Sequence, residues 1–163
     1  MVDVGKKPET RRVARAEARV ALSAEAFRRV VENRIEKGDV LTVAKIAGIQ
    51  GAKETARLVP LCHPIPIGAI RVDLSLDGAR REVRIETEVA TRAATGVEME
   101  AMTAASVAAL TVYDMCKAVD RGGSIAEVRL LAKSGGRSGE WKRSTPGRAR
   151  RASGPKARPS RRA

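Results

Sequence analysis

The chain has 163 residues, a formal net charge of +13 and three aromatic side chains, Phe27, Tyr113 and Trp141. That length suits one domain with a real core, but the core must be filled by alanine and small aliphatics, which lets helices and strands approach closely. No apolar run approaches the ~18–20 residues of a membrane helix. The opening MVDVGKKPET has no apolar signal segment, and Cys62 and Cys116 make no disulfide framework, so a reduced cytoplasmic protein is expected.

The charge is unevenly placed. From Arg143 to Ala163 there are seven Arg, one Lys and no acid, so this tail carries +8 and the first 142 residues only +5. The tail is rich in Pro, Gly and Arg without an apolar period, and is expected to be disordered. Residues 1–142 form the expected domain, and their thin core predicts association with further copies of the chain.

Val2-Asp3-Val4 is a short extended piece, closed by Pro8. Ala14, Ala16, Ala18, Val20 and Leu22 alternate with Arg15, Glu17 and Arg19, the period of a half-buried strand, and pattern should override alanine's helix preference. Ser23 can cap a helix from Ala24 to about Lys37, stopped by Gly38. Asp39 can cap the next, from Val40 to about Leu58, stopped by Pro60. Gly48 and Gly51 weaken its middle by roughly 1 kcal/mol each unless another backbone packs there. Pro60-Leu61-Cys62-His63-Pro64-Ile65-Pro66 must be an extended, rigid loop. Ile70, Val72, Leu74 and Leu76 mark a strand, Asp77-Gly78 a turn, and Val83, Ile85, Thr87 and Val89 the returning strand.

Thr95–Val119 reads as one long helix, rich in Ala, Met and Leu. Thr95 and Glu98 have capping-box spacing, so the helix should begin near Gly96 or Val97. Most of its faces are apolar. One stripe, Glu100, Thr103, Ser106, Thr111, Asp114 and Lys117, stays polar within roughly 140°. Such a stripe on a buried helix is either paired internally or turned toward a site. Ala126–Ala132 reads as the last strand, Lys133–Gly139 as a basic glycine loop, and Trp141 closes the domain. The order β, αα, β, β, α, β is the split βαβ or ferredoxin-like pattern: an α+β fold with helices on one face of an antiparallel sheet.

His63 is the single histidine, held by prolines. It is either a loop side chain satisfied by a backbone carbonyl or a well-aimed general acid/base or phosphate contact. Cys62 beside it is poor ligand spacing, and a structural zinc wants four ligands, so no metal is expected. Cys116 falls on an apolar helix face and reads as core. Asp114 and Lys117 are either an ordinary helix ion pair or a proton-transfer pair shifted by apolar surroundings. Glu98 reads as a cap, and Glu100 is the more interesting acid. Lys37-Gly38-Asp39 and the Lys133–Gly139 loop are candidate anion sites, with glycine N–H groups beside lysine charge. G-x-x-x-x-G-K-[ST] is absent, which disfavours a kinase or ATPase. These residues describe a small enzyme for a phosphorylated substrate, with no metal or redox cofactor indicated.

Longer stretches carry a resemblance. MVDV at the start, KGDV at Lys37–Val40, AGI at Ala47–Ile49, PLCHP at Pro60–Pro64, TGVEMEAMTAASVAALTVYDMCKAV in the long helix and VRLLAKSGGRSGEW at Val128–Trp141 together resemble the MoaC family, the cyclic pyranopterin monophosphate synthases of molybdenum cofactor biosynthesis. The resemblance implies a lyase that converts a cyclised dihydro-GTP to cyclic pyranopterin monophosphate with release of diphosphate. It implies substrate contacts by Leu61, Cys62, His63, Met99 and Glu100, with Glu98 in the same segment. It also implies catalysis by Asp114, with Lys117, Lys37 and Lys133 in catalysis or triphosphate binding. It further implies a homohexamer, a trimer of dimers, with the site between subunits. Redox cofactors are not needed, and Mg²⁺ travelling with the triphosphate is the one metal left open. Two departures stand out. The family's short segment before MVDV, with its Thr-His pair, is absent here, and the Arg-rich tail has no counterpart in the family pattern.

The rival reading is a ferredoxin-like nucleic-acid-binding module using its basic tail. An RNA-recognition module stacks bases on aromatics of its central strands, and the strands at 70–76 and 82–90 contain none. Non-specific attraction of the tail to RNA, DNA or anionic lipid is what remains of that reading.

Overall fold

Alternation along the first strand does what period-2 patterning requires. In the computed structural model, which describes residues 1–144, β1 (Thr10–Ala21) buries Ala14, Ala16, Ala18 and Val20 on one face. The Arg-rich segment expected to be disordered lies, from residue 145 onward, outside the described residues. The remaining elements are α1 (Ala24–Val31), α2 (Val40–Lys53), α3 (Thr55–Leu58), β2 (Ala69–Asp77), β3 (Glu82–Ala93), α4 (Glu98–Cys116), β4 (Ser124–Ser134) and β5 (Trp141–Lys142). The sheet order is β2-β3-β1-β4-β5 with every neighbour antiparallel. The first four strands have the ferredoxin-like order, and β5, which sequence patterning did not anticipate, extends one edge. Val2–Val4 stays outside the sheet and leads into a turn closed by the Lys7 N–H donating to the Val4 carbonyl at 3.0 Å.

The core is an alanine contact. Ala101, Ala104, Ala105, Ala108 and Ala109 of α4 are fully buried, as are the inward alanines of β1. Thr87 of β3 donates to the Ala101 carbonyl at 2.8 Å, tying sheet to helix. α2 packs equally close to α4, with Gly48 and Gly51 at the crossing. A Cβ on Gly48 would stand 3.0 Å from the Ala104 carbonyl oxygen, and one on Gly51 2.8 Å from Val107. These glycines weaken the helix in isolation and are required by the packing.

Two helix ends and one side-chain cap differ from the sequence expectation. α1 ends at Val31, six residues before Lys37, because Asn33 adopts a left-handed φ of 52°. The Arg34 N–H then donates to the Arg29 carbonyl at 2.7 Å and the Asn33 N–H to the Val30 carbonyl at 3.2 Å, a full Schellman stop. The helix begun at Val40 breaks at Glu54, separating α2 from α3. There the Thr55 hydroxyl captures the Gly51 and Ala52 carbonyls at 3.2 and 3.0 Å. The capping box does not form: α4 starts at Glu98 with no side-chain cap, and the Glu98 carboxylate instead faces Lys133 at 3.6 Å. The Ser23 and Asp39 caps do form, on the N–H groups of Ala26 (3.3 Å) and Thr42 (3.0 Å).

The other face of the sheet carries no helix. Glu17, on the outward side of β1, is nevertheless 1% exposed, because arginines fold over it. Arg129 binds its carboxylate with Nε at 2.6 Å, and Arg84 and Arg19 approach to 3.4 and 3.8 Å. Alternation alone had placed this side chain in solvent. The arginine stems cover the sheet as a second layer would.

A bulge in β4 positions the site. β1 pairs Arg15 with Ala132 but Ala16 with Leu130, so Leu131 is the extra residue. That step puts Lys133 opposite the buried Ala14, on the helix side, where an unbroken ladder would have turned it away. Among the described residues no helix is long and apolar enough to cross a membrane.

Gly51→Ala should destabilise the fold by about 1–3 kcal/mol through overpacking against Val107, despite the helix-propensity gain of about 1 kcal/mol. Urea midpoints check this. Adding Val107→Ala to the Gly51→Ala variant should recover part of the loss.

Candidate active site

The polar stripe of α4 does not work as one surface. Ser106 and Thr111 turn their hydroxyls back onto the helix, donating to the Met102 and Val107 carbonyls at 2.9 and 2.8 Å. What remains is chemistry at the two ends. Glu100 and Asp114 are fourteen residues apart in one helix, a separation of about 21 Å at 1.5 Å per residue.

At the C-terminal end Asp114 is clamped by two lysines. Lys117, one turn on, reaches Oδ1 at 2.6 Å, and Lys37 reaches Oδ2 at 2.6 Å and the Asp114 carbonyl at 3.0 Å. Lys37 is brought there by backbone features: the Asn33 stop, Gly38 at φ 98°, and Asp39 capping α2. With Lys117 as the larger influence and Lys37 next, the Asp114 carboxyl falls to about 2, and Asp114 in turn raises the Lys117 ammonium. Apolar surroundings were expected to tune this pair. The side chains of Asp114 and Lys117 are instead each 52% exposed, so the shift comes from hydrogen-bonded charge and not from burial. Two ammoniums on one carboxylate leave a net positive centre with donors able to turn toward a substrate.

At the N-terminal end lies a different environment. Glu100 is 4% exposed. Burial pushes its carboxyl above the ordinary range, and the charge of Glu98 adds to the rise. Burial also pushes up the Cys62 thiol, with Glu100's charge contributing, which places the proline-braced loop at this end. The loop is tied to β3 by the Thr91 hydroxyl donating to the Pro66 carbonyl and by the Gly68 N–H donating to the Ala90 carbonyl at 2.9 Å. His63 is half-buried, and among the described residues its ring makes no hydrogen bond, so the backbone-satisfied alternative does not describe it. Leu61 (72% exposed) and Met99 (37%) leave apolar surface open.

Beside this cluster is a basic cleft. Lys133 bonds the Ser138 hydroxyl and faces Glu98. Ser138 lines a cleft of about 420 Å³ together with Lys7, Pro8, Thr10, Arg12, Gly136 and Arg137. Arg12 is fixed by donating to the Ala93 and Ala94 carbonyls at 2.9 and 3.0 Å, just ahead of α4. Gly135 and Gly136 hold φ of 94° and 70°, and a Cβ on either would strike the Arg11 carbonyl or the Arg12 guanidinium. The loop's glycines are thus needed for Arg12 to reach the cleft. Lys7 and Arg12 were not among the residues singled out from the sequence, and Arg137 was included only as part of the Lys133–Gly139 loop. The available signal was the Arg11-Arg12 pair beside a loop already read as anion-binding.

Lys37, Asp114 and Lys117 therefore stand together, and Cys62, His63, Glu98, Glu100 and Lys133 gather at the other end with Leu61 and Met99. Among the described residues no three His, Cys, Asp or Glu side chains are arranged to hold a metal ion.

A ferredoxin-like domain with a lysine-clamped aspartate and a separate basic cleft defines an enzyme-like site for an anionic small molecule. Comparison with known proteins gives the family: residues 1–136 match the MoaC family, and the chain belongs to it. It is 56% identical over 143 residues to a cyclic pyranopterin monophosphate synthase of Thermomicrobium roseum, covering 88% of this chain and 86% of that protein. It is 56% identical over 144 residues to one of Cereibacter sphaeroides, covering 88% and 91%. Molybdenum cofactor biosynthesis protein 1 of Homo sapiens is 52% identical over 143 residues, 88% of this chain but only 22% of the human protein.

The two acids should titrate on opposite sides of the ordinary carboxylate range. Carbon-detected NMR should give Asp114 a midpoint of about 2 and Glu100 one above 4.5. Because the Asp114 value is depressed, its ion pairs are complete above pH ~4 and are lost only as pH falls through about 2. Lys117→Ala should raise the Asp114 midpoint more than Lys37→Ala does.

Proposed function

We propose that the chain is a cyclic pyranopterin monophosphate synthase: a lyase of molybdenum cofactor biosynthesis that converts a cyclised dihydro-GTP to cyclic pyranopterin monophosphate and diphosphate. The observation that carries this is the 56% identity to synthases over 143 residues, a span long enough to include both clusters of polar residues.

The reaction opens a purine-derived ring, rebuilds it as a pyranopterin and closes a cyclic phosphate. Ring rebuilding needs proton transfers from groups within hydrogen-bonding reach. In this reading Lys117 and Lys37 supply protons, Asp114 holds both ammoniums in place as their ionised partner, and His63 is a second acid/base. Glu100, Glu98, Met99, Leu61 and Cys62 bind the ring. Lys133, Arg12, Lys7 and Arg137 hold the triphosphate and stabilise the diphosphate as it leaves. No step is assigned to a metal.

His63 and Asp114 cannot both touch one ring within a single copy, since about 21 Å of helix separates their clusters. The site is therefore composite, with the Lys37–Asp114–Lys117 end of one copy facing the His63–Lys133 end of another. A two-fold pair of this kind forms two identical sites, and the hexamer implied by the family resemblance is three such pairs. The exposed Val43, Ile46 and Leu110 of α2 and α4 are apolar surface that association would cover.

With the cyclised dihydro-GTP supplied, Asp114→Ala, Lys117→Ala and His63→Ala should each lower the yield of pyranopterin and diphosphate at least ~100-fold while the fold and assembly are retained. Near-normal turnover in Asp114→Ala would sink the assignment. Unfolding and refolding Asp114→Ala together with Lys133→Ala should restore about a quarter of wild-type activity, because each mixed pair keeps one intact site. No recovery, with mixed assemblies verified by mass spectrometry, would argue for a site within one copy.

A further inference from the structure

With no hydrogen bond to its ring, His63 is aimed only by the backbone that carries it. That backbone cannot join the sheet in the ordinary way, because Pro64 and Pro66 have no N–H to donate to a ladder. The direction of the ring comes from alternation. His63, Ile65 and Ile67 are half-buried and Pro64 and Pro66 exposed, the period of an extended chain, with Ile65 and Ile67 packed on the core. In such a stretch a slip of one residue turns every side chain to the opposite side. His63 therefore faces the protein only while residues 63–67 keep their register.

One side chain pins that register. Thr91, on the helix side of β3, is 4% exposed, and its hydroxyl donates to the Pro66 carbonyl. The flanking backbone bonds lie outside the stretch: the Cys62 N–H donates to the Val59 carbonyl at 3.0 Å and the Gly68 N–H to the Ala90 carbonyl at 2.9 Å. Among the described residues no other hydrogen bond reaches the backbone of residues 63–67. Thr91 also stands opposite Arg12 in the β1–β3 register, and Arg12 donates to the Ala93 and Ala94 carbonyls a few residues on. The last residues of β3 thus hold both the histidine loop and the cleft arginine.

We infer that Thr91 is a positioning residue for the reaction: its hydroxyl keeps the His63 stretch in register and so fixes where the ring stands relative to Arg12. Valine in its place has nearly the same shape but leaves the Pro66 carbonyl without its donor, and the stretch is then free to shift. Thr87 shows what a purely structural threonine on the same face does, since its hydroxyl ties β3 to the Ala101 carbonyl of α4 and touches no loop. The inference rests on the proposed acid/base role of His63, and deepens it by naming the group that aims the ring.

The test compares full-length Thr91→Val, Thr91→Ser and Thr87→Val with the native chain. His63 is the single histidine, so one ring C–H signal in the NMR spectrum reports its surroundings. That signal should be a single line in the native and Thr91→Ser proteins, and should split or broaden in Thr91→Val. With the cyclised dihydro-GTP supplied, Thr91→Val should lose kcat ~10–100-fold, the size of effect that a misplacement of about 1 Å produces. Its KM should stay within about threefold, because the cleft residues are untouched. Thr91→Ser should return kcat to within about threefold of native. Thr87→Val should lower Tm yet keep the single line and the native kcat. Thr91→Ser against Thr91→Ala repeats the comparison with a smaller side chain, and carries the test if the valine variant does not fold. Near-native kcat in Thr91→Val would overturn the inference, as would equal kcat losses in the serine and alanine variants. The same disturbance of line and kcat in Thr87→Val would also overturn it, by assigning the effect to lost stability. The ring signal separates this inference from the proposed activity. A line disturbed only by loss of the Thr91 hydroxyl, in a chain without turnover, would uphold the positioning and sink the synthase. Native turnover with line and kcat unmoved in Thr91→Val would do the reverse.

Discussion

The contact between α4 and β1 governs the rest of the molecule. Both faces are made of alanine, so the helix lies close to the sheet with little side-chain volume between them, and α2 crosses it as closely through Gly48 and Gly51. Small side chains offer little slack, because each cavity or overlap is felt directly. The helix is therefore a fixed rod. Its length sets the distance between Glu100 and Asp114, and that distance divides the candidate site residues into two clusters.

The two ends are electrostatically opposite for the same physical reasons that make them separate. At the exposed end, charge is controlled by charge: two ammoniums on Asp114 keep it ionised far into acid. At the buried end, charge is controlled by desolvation, which pushes the Glu100 carboxyl up from its ordinary range. A composite site would bring a firmly held cationic centre and a buried carboxyl to one substrate from two copies. Family membership and the long identity to synthases support the proposed activity, and the chemistry of opening and rebuilding a ring would give both environments a use.

Much of this was legible in the residues. Period-2 alternation placed β1, β2 and β3, the Ser23 and Asp39 caps began α1 and α2, and the element order led to a ferredoxin-like sheet. The motif stretches carried the family. Local signals failed where a tertiary partner or a rarer local device competed. Asn33 stopped α1 by entering the left-handed region, Thr55 took carbonyls that would have continued α2, and Lys133 drew Glu98 away from the cap it was spaced to make. Glu17 looked solvated in the alternation and is buried, because arginines from three strands converge on it.

By itself, then, the sequence determined the strands, the caps, the long apolar helix and the set of ionisable residues, because those follow from periodicity and residue chemistry over short distances. Only the tertiary structure decided which of those residues stand together. Lys37 meets Asp114 across 77 positions. Arg12 enters the cleft because two glycines give it room, and Lys133 faces α4 because one extra residue in β4 reverses its side of the sheet. Each of these depends on a register or an approach between distant segments. Such relations are set by packing, and no window of sequence contains them.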